Sequence, residues 1–441
     1  MKQAYANHRS SGIEWLGDIP AHWGLQRLGF ALADAVAGGT PSTSRDDYWA
    51  EDDEDGMPWI AIADMSEGGI VESTEKAVTE PGMRDARLRP LPPGTIIYSM
   101  YASVGAVAVL GLEAVTNQAI LGLLPRRHVE NPYLFWWLHA LHGPVLALTR
   151  NNTQANLSAE TVRRLPIVLP PASEQQAISA FLDRETARID RLITMQESLI
   201  ERLDEYRTAL ITRVVTKGPP PEAAEAGGLD PEPALKDSGV EWLGEVPEHW
   251  VVKRLAYVVD CLDGKRVPLN SEQRSYRQGT IPYWGANGVL DHVDDWLFSE
   301  PLVLLGEDGA PFFTGNKRVA FSTRGKIWVN NHAHVLRPVG IHQEFLIHVL
   351  NVTDYAAFIG GSTRDKLTQG DMNDIPILVP PKEDQVLIID YLSGQLDQVG
   401  GLRNRIDASI GRLREYRSAL ISAAVTGKID VRDAALAGGD V

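Results

Sequence analysis

The sequence predicts an α+β protein in which two pseudo-repeated α/β domains alternate with two long helices that pair as an antiparallel coiled coil. Three observations carry this expectation. Blocks of sequence occur twice in the same order. Each copy ends in a long helical pattern with apolar residues at heptad spacing. The stretches between the repeated blocks combine short β-like runs with Gly and Pro turns.

A repeat decides the architecture before any local pattern does. Residues 11–23 (SGIEWLGDIPAHW) return as 238–250 (SGVEWLGEVPEHW), with nine of thirteen positions identical, including both tryptophans, the proline and the histidine. Residues 165–171 (LPIVLPP) return as 375–381 (IPILVPP), and 202–216 return as 412–426 with ten identities in fifteen. The offset is 227 at the front and 210 at the back, so the first copy carries 17 extra residues in its divergent centre. The partition is a first domain over 11–171, a helix over 172–217, a linker over 218–237, a second domain over 238–381, a helix over 382–428 and a tail over 429–441.

The first helix follows Pro170-Pro171, with Ser173 and Gln176 placed as a capping box. Steps of seven from Leu182 give Ile189, Gln196, Leu203 and Leu210, with Glu185, Leu192, Leu199, Tyr206 and Arg213 as the companion row. The second helix repeats this register at Leu392, Val399, Ile406, Leu413 and Leu420, with Leu402, Ser409, Tyr416 and Ala423 beside them. There Glu383 or Asp384 replaces the serine cap. Gly400-Gly401 costs about 1 kcal/mol per glycine relative to alanine, which suggests a kink. Each helix of about 45 residues would be roughly 65 Å long. Paired antiparallel, the rods would hold the two domains apart about a pseudo-two-fold axis. Between the copies, Gly218-Pro219-Pro220-Pro221 and the Ala/Glu/Gly/Pro-rich run after it read as an extended, solvated linker.

In the divergent domains, Thr95–Tyr98, Leu302–Leu305 and Val335–Arg337 read as strands, and Tyr133–Leu141 and Gln343–Leu350 as amphipathic helices. A common frame around different centres suggests two different readers. Base edges are read by Arg, Lys, Asn, Gln, Ser and Thr on exposed loops. The first domain offers Arg150, Asn151, Asn152, Gln154 and Asn156, together with Ser42, Thr43, Ser44 and Arg45, and beyond these Arg84, Arg87 and Arg89. The second offers Ser362, Thr363, Arg364 and Lys366, opposite the 150–156 loop in register, and Lys265, Arg266, Arg274, Arg277, Lys317 and Arg318. Thr153/Thr363 and Leu157/Leu367 stay fixed between the loops while their neighbours change. Trp15/Trp242 and Trp23/Trp250 could stack on bases, but their identity in both copies assigns them to packing.

Composition narrows the class. The chain has 441 residues, a formal net charge of −16 and a single cysteine, Cys261. One cysteine rules out a disulfide framework and a cysteine-built zinc site. No apolar run approaches the roughly 18 residues of a membrane span, and the Met1-Lys2-Gln3 start lacks a signal-peptide pattern, so the expected location is the cytoplasm. The acidity opposes unaided DNA binding, although part of it is local, at Glu51-Asp52-Asp53-Glu54-Asp55, and partner subunits can supply positive surface. No catalytic motif stands out. Asn131-Pro132-Tyr133 lacks the second proline of an adenine methyltransferase tetrad, and Gly264-Lys265, Gly325-Lys326 and Gly427-Lys428 lack the rest of a phosphate loop. His332 and His334 have no carboxylate near them in sequence and read as a buried hydrogen-bonded pair, not as metal ligands. A non-DNA scaffold would explain the rods and the acidity but not two divergent domains with polar loops.

The paired SG-[IV]-EWLG-x-[IV]-P-x-HW openings resemble those of specificity subunits of Type I restriction–modification systems. So do Gly39-Thr40-Pro41-Ser42, Tyr48-Trp49, the stretch from Pro282 to Gly288, and Val329-Asn330-Asn331-His332-Ala333-His334-Val335 with Thr116-Asn117-Gln118-Ala119 as its partner. The Pro-Pro-x-x-[Glu/Asp]-Gln helix starts and the Val425-Thr426-Gly427-Lys428-Ile429 ending match as well, while Val215-Thr216-Lys217-Gly218 departs from the usual Thr-Gly-Lys order. The resemblance spans nearly the whole chain. It implies a non-catalytic subunit whose two target-recognition domains read the halves of a bipartite, asymmetric double-stranded DNA site. It implies docking of two methyltransferase subunits and of restriction subunits. No cofactor is expected on this chain; S-adenosylmethionine, ATP and Mg2+ are expected on the partners.

Overall fold

The structure, a computed structural model, describes residues 4–50, 56–65, 69–149, 156–308, 312, 318–356, 358–359 and 366–432, with the backbone alone at 148 and 149. Its contacts divide the chain into two compact units. One comprises Met1–Thr194 and Ser409–Val441, the other Met195–Ala408. Each long helix is therefore shared between the two units.

In the first unit, the strands Leu32–Ala37, Ile120–Pro125, Ile96–Ser99, Val107–Leu110 and Ile70–Val71 lie in that order in one sheet. All neighbours are antiparallel except the last pair. The central Ile96–Ser99 is buried along its whole length, as its apolar, β-branched composition requires. A second sheet holds Val115–Thr116, Met57–Ile60, Lys76–Val78 and Trp49–Ala50. The core between them gathers Ile60, Val71, Ile97, Leu110 and Ile120. The helix Asn131–Ala140 starts with proline in its first turn, where no backbone donor is missed.

The second unit repeats this plan with fewer strands. Val259–Cys261, Ala333–Pro338, Leu302–Gly306 and Ala320–Thr323 form an antiparallel sheet, and Gly288–Val293, Gln278–Gly285 and Trp328–Val329 form a smaller one. The helix Gln343–Val352 buries Phe345, Leu346, Val349 and Leu350. The strands and helices expected around 95–98, 302–305, 335–337, 133–141 and 343–350 are all present, with ends shifted by a few residues.

The repeated blocks at the two ends of each domain pair with each other. Gly24–Arg27 runs antiparallel to Pro166–Leu169, and Val251–Arg254 to Pro376–Val379. Each domain is thereby closed by its own repeated termini, which delivers the His-Trp pair to the start of the following helix.

The long helices run Ala172–Lys217 and Lys382–Val425, 46 and 44 residues, the second uninterrupted through Gly400-Gly401. Their halves pair antiparallel within each unit. In the first, Arg417 binds Asp190, while Gly427 lies against Trp23 at the other helix's start. In the second, Arg403 binds Asp204, while Gly218 approaches Trp250. Both helices end on a left-handed glycine, Gly218 at φ 85° and Gly427 at φ 74°, a conformation that costs glycine nothing. The Lys217-Gly218 order merely moves the stop by one residue.

Four expectations need correction. The heptad row through Leu182, Ile189 and Leu203 faces inward, but its companion lies four residues on, not three. Thr186, Ile193 and Val214 are buried, whereas Leu192, Leu199 and Tyr206 are exposed. Leu402 and Tyr416 are likewise exposed, while Ile410 and Ala424 are buried. Apolar residues stand at both spacings, so the pattern alone could not choose between them. The Ser173–Gln176 box does not form: Ser173 falls inside the first turn, and Gln176 donates to Glu130. No break in the second helix appears at Gly400-Gly401, because packing of Ile406 and Leu392 holds the segment. The 218–237 segment is not simply extended. Pro221–Ala226 is helical with Ala224 buried, Gly227 abuts Leu387, and Leu235–Asp237 pairs with Glu245–Pro247.

Candidate nucleic-acid interface

The frame of each domain is set by one carboxylate in the first turn of the long helix. Glu174 accepts from Trp23 Nε1 at 3.0 Å and Tyr5 Oη at 3.0 Å and lies 2.7 Å from His22 Nε2. Asp384 accepts from Trp250 Nε1 at 2.7 Å and lies 2.9 Å from His249 Nε2. A negative charge at a helix N-terminus is also favoured by the helix dipole. The next residue is equally conserved in use. Gln175 accepts from the Glu130 backbone and donates to Pro170 O, and Gln385 does the same with His342 and Pro380. Trp23 and Trp250 are only 1% exposed, so they are packing residues, as their repetition suggested. Trp15 remains partly exposed beside Trp137, with ring centroids 6.4 Å apart. The role of Glu174 and Asp384 went unread in the sequence, although an acid at the same place in both copies was the available signal.

Most candidate readers are tied to neighbours. Ser42, Thr43, Ser44 and Arg45 are exposed together on one loop. Ser42 and Ser44 hydroxyls are 2.9 Å apart, and Arg45 makes a two-pronged bond to Asp47 at 2.7 Å while lying over Tyr48. Those bonds hold the Asp47 carboxyl below the usual carboxylate range. Arg84 pairs with Glu80 and Arg89 with Asp34, while Arg87 sits at φ 52°. In the second domain, Arg274 binds Asp291 and the Leu269 carbonyl and lies over Tyr283. Arg277 binds Asp294 and lies 4.6 Å from the Trp328 ring centre. Lys265 and Arg318 are exposed. Arg266 turns inward, with its side chain only 16% exposed. Arg150, Asn151, Asn152, Gln154, Thr153, Lys317, Ser362, Thr363 and Arg364 lie outside the described residues. Asn156 and Lys366, the last residues of the two loops, are both exposed.

The two loops return to the core at equivalent anchors. Leu157 N donates to Met100 O at 2.9 Å, and Leu367 N to Glu307 O at 2.9 Å. Upstream, Asn117 Oδ1 accepts from Ala119 N and Asn330 Oδ1 from His332 N, which bears out the pairing of 116–119 with 329–332. Glu307 thus stands where the first domain has Met100, and His334 where it has Leu121. Below the second loop a charged cluster replaces an apolar one. Asp263 Oδ2 lies 2.6 Å from His334 Nδ1, whose other nitrogen faces Leu367 O at 3.1 Å. Arg266 binds both Asp263 and Glu307, and Lys366 Nζ is 2.9 Å from Glu307.

Burial pushes the Glu307 carboxyl up, but hydrogen bonds from Arg266 and Lys366 outweigh it and hold the group below its ordinary range. Asp263 is likewise held low against its burial, chiefly by His334. Asp263, Glu307 and His334 bring their ligand atoms within 4.8 Å of one another, a donor set that would suit a cation. Arg266 and Lys366 already bring two positive charges to these carboxylates, so the cluster reads as a closed ionic network. The absence of carboxylates near His334 in sequence was misleading, since folding brings two. His332 is half-exposed and faces Asp308. Among the described residues no helix is long and apolar enough to cross a membrane.

Comparison with known proteins agrees with this duplicated frame. The family model described as Type I restriction modification DNA specificity domain matches residues 31–202 and 247–410. A Haemophilus influenzae protein assigned as a type I restriction enzyme specificity subunit is 33% identical over 36% of this chain and 38% of its own length. The MjaIX specificity subunit of Methanocaldococcus jannaschii is 26% identical over 61% of this chain and 58% of its own length. The matched regions thus span about two fifths and three fifths of these relatives. A chain from a solved structure on complex assembly and conformational transition of the type I R-M system shares the fold. It has a TM-score of 0.66 and 14% identity, over 92% of this chain and 98% of that one.

Proposed function

The chain belongs to the Type I restriction–modification DNA specificity family, with two recognition domains, and from that premise we propose how it works. Each domain reads one half of a bipartite, asymmetric site on double-stranded DNA, and the paired helices set the unread gap between the halves. Methyltransferase subunits, two per chain, and restriction subunits dock on the frame and carry the chemistry together with S-adenosylmethionine, ATP and Mg2+. This chain contributes position rather than catalysis.

The observation that carries the reading is that the two frames share their His-Trp-carboxylate and glutamine bonds while the side chains they present differ. A pair of identical readers would have kept Met100 and Glu307, or Leu121 and His334, alike. Base readout falls to the loops ending at Asn156 and Lys366 and to the 42–45 loop. Arginines already held by Asp47, Asp291 or Asp294 are pre-aimed, and such tethering lowers the entropy lost on contact. Docking is supported by apolar side chains left on the helices: Leu192 and Tyr416 in one unit, Met195, Leu199, Tyr206 and Leu402 in the other. Exposed apolar groups at regular helical spacing suit partner helices. The net charge of −16 fits a reader that relies on partners for part of its phosphate neutralisation.

Selection from a randomised duplex pool, with the methyltransferase subunit present, tests the reading. Enrichment of one bipartite motif is expected; a contiguous motif, or none, overturns it. Deleting one heptad from both helices shortens the rods by about 10 Å, roughly three base pairs. The gap should change while both half-sites persist, and altered half-sites would refute the ruler role.

A further inference from the structure

The duplication leaves one arginine without the partner its counterpart has. Arg417 of the first unit binds Asp190 through Nε at 2.9 Å and Nη2 at 3.3 Å. The equivalent of Arg417 is Arg207, and the equivalent of Asp190 is Gly400. Arg207 is only partly exposed and, among the described residues, makes no hydrogen bond or ion pair. Its neighbour Asp204 is taken by Arg403. Arg207 borders a cleft of about 620 Å3 in the second unit, into which Arg318 and His348 also face. Burial first, then Arg207 and Arg318, push His348 down to about 4, so an added positive charge is already unwelcome there. Within the same cleft Arg324 is balanced by Glu344, and Asp397 adds one carboxylate. Nothing stands within 4 Å of the Cβ position of Gly400, so this helix face is open to a close approach.

We propose that this cleft receives an aspartate or glutamate side chain of a docked methyltransferase subunit, which takes on Arg207 the place Asp190 holds on Arg417. A carboxylate is the chemistry the sister site already uses, and a guanidinium accepts it in the two-pronged geometry seen there. Tyr206 of the exposed row precedes Arg207, about 100° round the helix, so a subunit seated on that row borders the cleft. The inference rests on the docking reading and deepens it. The two docking places are unequal, the first closed by its own Asp190 and the second completed only by a partner.

Native mass spectrometry and titration of the full chain with the methyltransferase subunit test this. Arg207→Gln should weaken one of the two bound copies at least tenfold, about 1.4 kcal/mol, so that a complex with a single copy accumulates. Gly400→Asp should do the same by filling the site from within, while Gly400→Ala, which adds helix propensity without charge, should leave affinity unchanged. Wild-type affinity in both Arg207→Gln and Gly400→Asp overturns the proposal, and so does an equal loss in Gly400→Ala. If Arg207→Gln instead weakens duplex DNA alone, or abolishes a thermal shift caused by inorganic phosphate while subunit binding is untouched, the anion is a phosphate and the proposal fails. Absence of any subunit binding by the wild type would bring down the docking reading itself, a different result from binding that ignores position 207.

Discussion

Beneath the loop that ends at Asn156, the first domain packs Met100 and Leu121; at the same backbone positions beneath the loop that ends at Lys366, the second holds Glu307 and His334. The backbone hydrogen bonds around both sites are the same. One fills its space by apolar packing, the other by a network of Asp263, His334, Arg266, Glu307 and Lys366. Divergence between the domains therefore reaches below the loops into the buried layer that supports them. It stops at the frame, where Glu174 and Asp384, Gln175 and Gln385, and Trp23 and Trp250 do the same work twice.

The largest effect tests the shared frame. Trp23→Ala and Trp250→Ala should each cost about 3–5 kcal/mol, and hydrogen exchange should place each loss in the unit carrying the change. A loss in only one unit would break the equivalence of the caps. Next comes the buried difference. Arg266→Ala leaves two carboxylates under-compensated and should cost about 3–5 kcal/mol in denaturant unfolding. A variant that removes the whole network and installs methionine at 307 and leucine at 334 should lie much closer to the wild type. If both behave alike, the network is not the closed unit described.

Acid should weaken both units for a common reason. Burial, reinforced by Arg417 and His142, lowers His139 to about 4, as burial, Arg207 and Arg318 do for His348. Between about 4 and 6.5 the unfolded chain binds protons that the native chain does not, so stability falls as pH drops through that window. Each histidine should contribute on the order of 3 kcal/mol to that fall. His139→Gln and His348→Gln should flatten the profile, each in its own unit, and an unchanged pH dependence would remove these groups as its source. The smallest effect belongs to the helices. Asp190→Ala should cost about 0.5–1 kcal/mol as a surface pair, measured as a small shift in unfolding midpoint. No equivalent loss is available at Gly400, where Arg207 has nothing to lose.

The duplication and both helices were legible because repeats and heptads are carried by local residue order. The strands at 95–98 and 302–305 were legible for the same reason, as apolar runs between turns. The companion row was misread because Leu192, Leu199 and Tyr206 look as apolar as Ile193 and Val214; only a partner helix decides which row it covers. The candidate readers Arg274 and Arg277 were found as charges, but their bonds to Asp291 and Asp294 join segments 17 residues apart that folding brings together, whereas the Arg45–Asp47 bond is local. Arg266 looked like surface charge beside Lys265 because nothing in order along the chain places Glu307 next to it.

By itself the sequence determined the two-copy frame, the helical segments, the polar character of the loops and the resemblance to a DNA-reading family. Tertiary structure decided which helix face is covered, that the His-Trp pairs clasp a carboxylate at each helix start, and that Arg417 has an aspartate where Arg207 has none. The physical reason is range. Periodicity and propensity act over a few residues, whereas the caps and helix seams join groups more than a hundred positions apart and the ion network joins groups up to 71 apart, and only the closed fold fixes those distances.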